Sequence, residues 1–189
     1  MLGSMKRSAS FWLGVVAALL LPWGSLEASF ISESVSGNLV QLVDGELRPV
    51  PSGEESRLDK VKLFALYFSA HWCPPCRKFT PELIDFYQKV KKENPDFEII
   101  FVSYDRSPEA LADYVRSTGM PWPTVVFGKG DELKRLYSGK GIPRLVLVDQ
   151  EGKVLADSYE GERYVGPRHV LKELEKRLKS APVASAPAP

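Results

Sequence analysis

Cysteine and histidine are scarce in this chain of 189 residues, which has two of each. Two cysteines cannot build the disulfide framework of a small secreted scaffold. Two histidines leave little material for a metal enzyme. An excess of one charge is missing as well. The 25 basic residues are balanced by 24 acidic ones, for a net charge of +1, so nothing points to nucleic acid or an anionic surface as a partner. Apolar residues make up 44% and charged residues 26%, which excludes a wholly disordered chain. There is no internal repeat. The length suits one globular domain with appendages.

One long apolar run occurs outside the domain, Phe11 to Leu21. It falls short of the roughly 20 residues that a spanning helix needs. Lys6 and Arg7 precede it, Pro22 and Gly24 break it, and small residues follow. That is the pattern of an export signal over residues 1–28, with a cut after Ala28, although Leu26 suits the cut imperfectly. The alternative is retention as a membrane tether. No cysteine follows the run to carry a bacterial lipid anchor. The expected location is therefore periplasmic or extracellular. Residues 181–189 alternate Ala, Pro and Ser and are expected to form a disordered tail. The folded domain is predicted over 29–180.

Within it, Leu39 to Val43 and Glu46 to Val50 flank Asp44-Gly45, the signature of a tight β-hairpin. Ser52 to Ser56 reads as a polar loop. Leu63 to Phe68 and Glu98 to Ser103 are continuously apolar enough for strands buried on both faces. Between them, Phe79, Leu83, Phe86, Tyr87 and Val90 fall at helical spacing over Pro74 to Lys92. Ser107 suits a helix cap, Pro108 the first turn, and Gly119 the end of that helix. Thr124 to Phe127 predicts a short strand and Asp131 to Tyr137 a short helix. Leu145 to Val148 and Lys153 to Ala156 predict a second hairpin. A closing helix from Arg168 to Ser180 buries Val170, Leu171, Leu174 and Leu178. The order implies a mixed sheet covered on both faces, with the first two long strands parallel neighbours.

The chemistry lies in Trp72-Cys73-Pro74-Pro75-Cys76, where a buried strand gives way to a helix. A thiolate at a helix N-terminus meets the positive end of the dipole and free N–H groups, so its pKa falls. Cys76 lies one turn on, within disulfide reach of Cys73. Pro74 and Pro75 stiffen the turn and remove two donors, leaving the Cys76 N–H as the main local donor to the Cys73 sulfur. Exchange would run through a mixed disulfide at Cys73 that Cys76 resolves. The competing readings are an inert disulfide and half a zinc site, but no second cysteine pair exists to complete four ligands.

The stretch from Tyr67 to Leu83, centred on those five residues, resembles the active-site segment of the thioredoxin superfamily, and within it the tryparedoxin and nucleoredoxin branch. Gly119-Met120-Pro121-Trp122 and Gly141-Ile142-Pro143-Arg144 agree. The resemblance covers about Val61 to Leu178. It implies a thioredoxin-like α/β fold, with a central mixed β-sheet flanked by helices on both faces and preceded here by a β-hairpin. It further implies Cys73 as the attacking thiol, Cys76 as the resolving thiol and a cis bond between Ile142 and Pro143. The Ile142 backbone would pair with substrate, and Trp72 would be an exposed contact ring. Pro81 would sit inside the active-site helix, and Trp122 would pack beneath the active face.

Three positions depart from the thioredoxin branch. Tyr67 stands where that branch has a buried acid, and would either hydrogen-bond near Cys76 or fill core. His71 would favour a thiolate if protonated, or be an idle loop residue. Arg144 would select acidic partners, or be a solvated charge. His169 is expected on the surface of the last helix.

The function expected is thiol–disulfide exchange with protein cysteines, as a reductant by analogy with the nearest branch. The rival directions are dithiol oxidant and isomerase. Outside the cytosol a reductant would need an electron donor such as a membrane thiol reductase. A peroxidase reading lacks the Pro-x-x-x-Thr-x-x-Cys context. A non-enzymatic soft-metal module would use His71, Cys73 and Cys76. No cofactor, metal or nucleic acid is implied. The apolar faces account for one domain's core, so a monomer is expected.

Overall fold

The computed structural model describes residues 29–137 and 139–180. The export signal and the Ala/Pro tail lie outside the described residues. Helix α1 (Phe30–Val35) leads into strands β1 (Leu39–Val43) and β2 (Glu46–Pro49). Asp44 and Gly45 both take positive φ, 52° and 79°, as a two-residue hairpin turn with the twist of its strands requires. A one-turn helix α2 (Ser52–Glu55) and a 3-10 turn (Leu58–Lys60) follow. The first replaces the loop expected at Ser52 to Ser56: the Glu54 and Glu55 N–H groups donate to the Pro51 carbonyl and close the turn.

The central elements are β3 (Leu63–Ser69), α3 (Pro74–Lys91), β4 (Phe97–Ser103), α4 (Pro108–Thr118), β5 (Thr124–Val125), α5 (Asp131–Tyr137), β6 (Arg144–Asp149), β7 (Val154–Asp157) and α6 (Pro167–Ser180). A small separate hairpin, β8 (Tyr159–Glu160) and β9 (Arg163–Tyr164), precedes α6. The main sheet runs β2-β1-β5-β4-β3-β6-β7. β3 and β4 are parallel, as are β4 and β5, while β6 is antiparallel to β3. Strand β5 is shorter than the expected Thr124–Phe127, because only Thr124 and Val125 hold ladder positions.

Alternation along the strands sends side chains to two cores. Ala65, Tyr67, Ile99, Phe101, Leu145 and Leu147 meet α3, α4 and α6 on one face. Phe64, Leu66, Phe68, Ile100, Val102, Val146 and Val148 meet α1, the 3-10 turn and α5 on the other. Burial on both faces explains why β3, β4 and β6 read as continuous apolar runs. Helix α4 carries the expected ends: the Ser107 hydroxyl accepts the Ala110 N–H at 3.1 Å, Pro108 opens the first turn, and Gly119 closes it. Helix α3 is one helix with Pro81 inside it. Its first turn is held at the end of β3, which is what sets the site.

Candidate functional site at the start of helix α3

Strand β3 ends at Ser69, and the chain turns through Ala70, His71 and Trp72 into Cys73, the N-cap of α3. Pro74 and Pro75 occupy the first two helical positions, where their missing N–H groups would have had no intrahelical partner. The Cys76 N–H points at the Cys73 sulfur, 3.3 Å away. Cys73 and Cys76 are joined by a disulfide, with Cα atoms 5.2 Å apart. Cys76 is fully buried, whereas Cys73 retains 3% exposure, so an incoming group meets Cys73 first.

The loop before the helix is fixed from below. The Asp105 carboxylate accepts the His71 backbone N–H at 2.8 Å and the Ser103 hydroxyl at 2.7 Å. The His71 ring stacks on Tyr114, with centroids 5.6 Å apart and an interplanar angle of 22°. It is therefore packed rather than an idle loop residue. Among the described residues, no group of three or more His, Cys, Asp and Glu side chains could hold a metal ion. Trp72 is 52% exposed. Its indole N–H donates to the Tyr104 carbonyl at 3.1 Å, which holds the ring beside the pair.

Across from Cys73 lies the loop before β6. The Ile142–Pro143 peptide is cis, and the Ile142 carbonyl oxygen is 3.8 Å from the Cys73 sulfur. Ile142 and Tyr104 pack on the cluster of Ala70, Cys73 and Cys76. The Tyr164 hydroxyl donates to the Pro143 carbonyl at 2.8 Å, anchoring this loop from the small hairpin. Tyr104, Asp105 and Tyr164 were not singled out from sequence, because each acts across the chain through a backbone group.

Tyr67 fills both roles offered for it. It is fully buried, and its hydroxyl lies 2.8 Å from the Thr80 hydroxyl and 3.5 Å from the Cys76 carbonyl. Thr80 also meets the Tyr114 hydroxyl at 2.6 Å and the Cys76 carbonyl at 3.0 Å, and Tyr114 meets the Ser69 hydroxyl at 3.0 Å. A chain of four neutral hydroxyls thus backs Cys76. Desolvation pushes the ionisation of Tyr67 far above the ordinary tyrosine range, and the nearby Tyr114 adds to the effect. At neutral pH the phenol stays protonated and can relay a proton but not hold a negative charge. Trp122 lies under this layer, fully buried, in edge contact with Tyr67 and Tyr87.

Arg144 is the clear correction. It is neither solvated nor free to meet a partner. Its guanidinium forms a two-pronged pair with Asp157, with Nε to Oδ1 at 2.9 Å and a second, shorter contact from Nη2 to Oδ2. The side chains are only 12% and 18% exposed, and the guanidinium lies over the Tyr159 ring at 5.2 Å. Arg144 opens β6 and Asp157 ends β7, diagonal neighbours at the hairpin's open end where Asp157 pairs with Val146, a contact that twelve intervening residues conceal in the sequence. His169 is half-buried on α6. A cleft of about 380 Å³ lies at the other end of α3, lined by Tyr87, Lys91 and Glu98 among others. Those three already satisfy one another, and the cleft contains neither cysteine.

A family model described as Thioredoxin-like matches residues 60–154, which include both cysteines and Pro143. Nucleoredoxin of Danio rerio is 40% identical over 140 residues, covering 72% of this chain and 31% of that protein. Nucleoredoxin of Homo sapiens is 46% identical over 93 residues, covering 48% of this chain and 21% of that protein. The chain therefore spans under a third of these curated relatives' length. Among solved structures, thioredoxin from Wuchereria bancrofti aligns with a TM-score of 0.57 at 36% identity, covering 76% of this chain and 96% of that one. Tryparedoxin I from Leishmania major aligns with a TM-score of 0.58 at 27% identity, covering 78% and 92%. The helix-capping cysteine pair thus sits in a fold, and in a matched segment, shared with these proteins, and the chain belongs to the thioredoxin-like family.

Proposed function

We propose that this protein is a thiol–disulfide oxidoreductase acting on protein cysteines, with Cys73 as nucleophile and Cys76 as resolving thiol. The observation that carries the reading is the position of Cys73. It caps a helix, keeps the only exposed edge of the pair, and receives the Cys76 N–H at its sulfur. Both the helix end and that N–H favour a thiolate. In the reduced protein, the Cys73 thiolate attacks a partner disulfide. One sulfur–sulfur bond forms, the partner's bond breaks, and the partner leaves as one thiolate. Cys76 gives up its proton and attacks Cys73, closing the internal disulfide and releasing the second partner thiol. Two electrons pass from this pair to the partner. Ile142, with its carbonyl beside Cys73, and the cis Pro143 would align an extended partner segment, and Trp72 would supply a contact ring.

The preferred direction is reduction, supported by the likeness to nucleoredoxins and tryparedoxins. The proposal includes export: the basic start, apolar run and small-residue cut over residues 1–28 support it. In an oxidising compartment the pair would then need reduction by a membrane thiol reductase.

The test has two parts. Cys76→Ser should accumulate mixed disulfides with substrate proteins on non-reducing gels, and Cys73→Ser should form none. Full turnover by the Cys73→Ser protein would reverse the assigned roles. The potential of the pair, titrated against a thiol buffer, sets direction. A value near about −270 mV marks a donor, and one near about −120 mV marks an oxidant.

A further inference from the structure

Four cations surround the cysteine pair without carboxylate partners. Arg77 and Lys78 are exposed on the first turns of α3, and the Arg77 N–H bonds the Cys73 carbonyl. The Arg106 guanidinium lies 5.7 Å from the centre of the exposed Trp72 ring. The Lys134 ammonium lies 4.9 Å from the centre of the Tyr104 ring, whose residue packs on the pair. Among the described residues, none of the four forms an ion pair. Several other exposed cations are matched: Lys62 with Asp96, Arg116 with Glu46, Lys140 with Glu162, and Arg168 with Glu82. These four leave unmatched positive charge around the sulfurs, as some cations elsewhere do at other surface positions.

The acids of this region do not cancel it. Asp105 is buried, with its oxygens taken by the His71 N–H and the Ser103 hydroxyl, and it offsets one charge of the four. Glu109, in the first turn of α4, stays ionised and offsets at most one more. Arg106 and Lys134 rest on aromatic faces, which favours one position for each cation over free motion.

We infer that this face selects protein partners whose reacting cysteine lies in an acidic segment. The inference rests on the exchange reading above and names its substrate class. Attraction between the segment and the cations accelerates encounter, while a basic segment is repelled. Arg106 and Lys134, rather than the neutralised Arg144, are the residues that set the preference. They touch neither sulfur, so they act on partner choice and not on the bond exchange itself.

The experiment uses the reduced full chain and two peptides of equal length. Each has one internal disulfide, flanked by glutamates in one peptide and by lysines in the other. The readout is the ratio of their reduction rates, since any change in thiol reactivity moves both rates together. At low ionic strength the glutamate peptide should react roughly tenfold faster. At about 1 M salt, where screening acts within about 3 Å, the ratio should approach one. The double variant Arg106→Glu/Lys134→Glu should invert the ratio. Lys176→Glu, a charge reversal at an exposed position in the last turns of α6, should leave it unchanged. Equal rates at low salt overturn the inference and leave the exchange reading intact. So does a ratio that ignores salt or the double reversal. Reduction of neither peptide overturns the exchange reading, and the inference with it.

Discussion

Thr80→Val should destabilise this domain more than removal of the Tyr67 hydroxyl it touches. A threonine hydroxyl donates one hydrogen and accepts two. Thr80 donates to the Cys76 carbonyl, one turn back on α3. The hydroxyls of Tyr67 and Tyr114 must then both donate to Thr80, and Ser69 to Tyr114. That assignment satisfies all four groups in a region closed to water, since Tyr67, Ser69, Thr80 and Tyr114 are all fully buried. Valine keeps the shape but removes the shared acceptor. Tyr67 is left with the Cys76 carbonyl at 3.5 Å, and Tyr114 must reverse its bond to Ser69. Each orphaned buried donor costs about 1–3 kcal/mol, and partial rescue places the total near about 2 kcal/mol. Tyr67→Phe loses one bond and strands no donor, at about 1 kcal/mol. The assay is denaturant and thermal unfolding of the oxidised protein. For a domain of this size the Thr80→Val midpoint should fall by about 4–8 °C. A fall smaller than that of Tyr67→Phe would refute the proton assignment and the hub role of Thr80.

Other expectations follow from the same structure. Asp157→Ala leaves the Arg144 guanidinium largely buried and unpaired, and should cost about 3 kcal/mol in denaturant unfolding. The double change Arg144→Met/Asp157→Leu should recover most of that loss, and failure to recover would mean the pair is more than self-compensating. Gly152 has φ +80°, and a Cβ there would lie 2.6 Å from both the Phe30 ring and the Tyr137 hydroxyl. Gly152→Ala should therefore cost about 2 kcal/mol, and an unchanged midpoint would contradict the close approach. Tyr67 and Tyr87 keep their protons in the fold at pH values where an unfolded tyrosine, with a pKa of about 10, releases them. Raised folded values contribute stability that is whole below about pH 10 and lost as pH climbs beyond it. Tyrosinate absorbance should show these two titrating only as the chain unfolds. Their early titration in folded protein would show that water reaches them.

Local signals in the sequence carried much of the architecture. Asp44-Gly45, the Ser107-Pro108 start of α4 and the apolar spacing of α3 and α6 each report on a few adjacent residues, and each element formed where its signal lay. The cysteine pair was legible for the same reason, since its chemistry depends on one turn of helix and the strand before it. Helix α1 was not legible. Six residues make no amphipathic period, and it is held by distant groups: the Phe30 N–H on the Gln150 carbonyl and the Ser32 hydroxyl on Asp59. The hydroxyl chain behind Cys76 joins residues 13, 34 and 45 positions apart, and no local pattern marks such a set. Arg144 failed for a related reason. A charge beside a site motif reads as available, and only the return of β7 brings Asp157 to neutralise it.

Strand β5 contributes two residues to a sheet seven strands wide. It meets β4 at one paired position and β1 at two, so the β1–β2 ribbon joins the rest by a narrow seam. The Gln41 amide on the Pro121 carbonyl and Arg116 on Glu46 are the ties that flank it. Strands β3, β4 and β6, by contrast, share six- and seven-residue ladders. Opening of the seam exposes few ladder bonds, so amide exchange should divide the sheet there. The ribbon's amides would exchange as a block through a low-energy fluctuation, while those beside the cysteine pair wait for the whole domain to unfold.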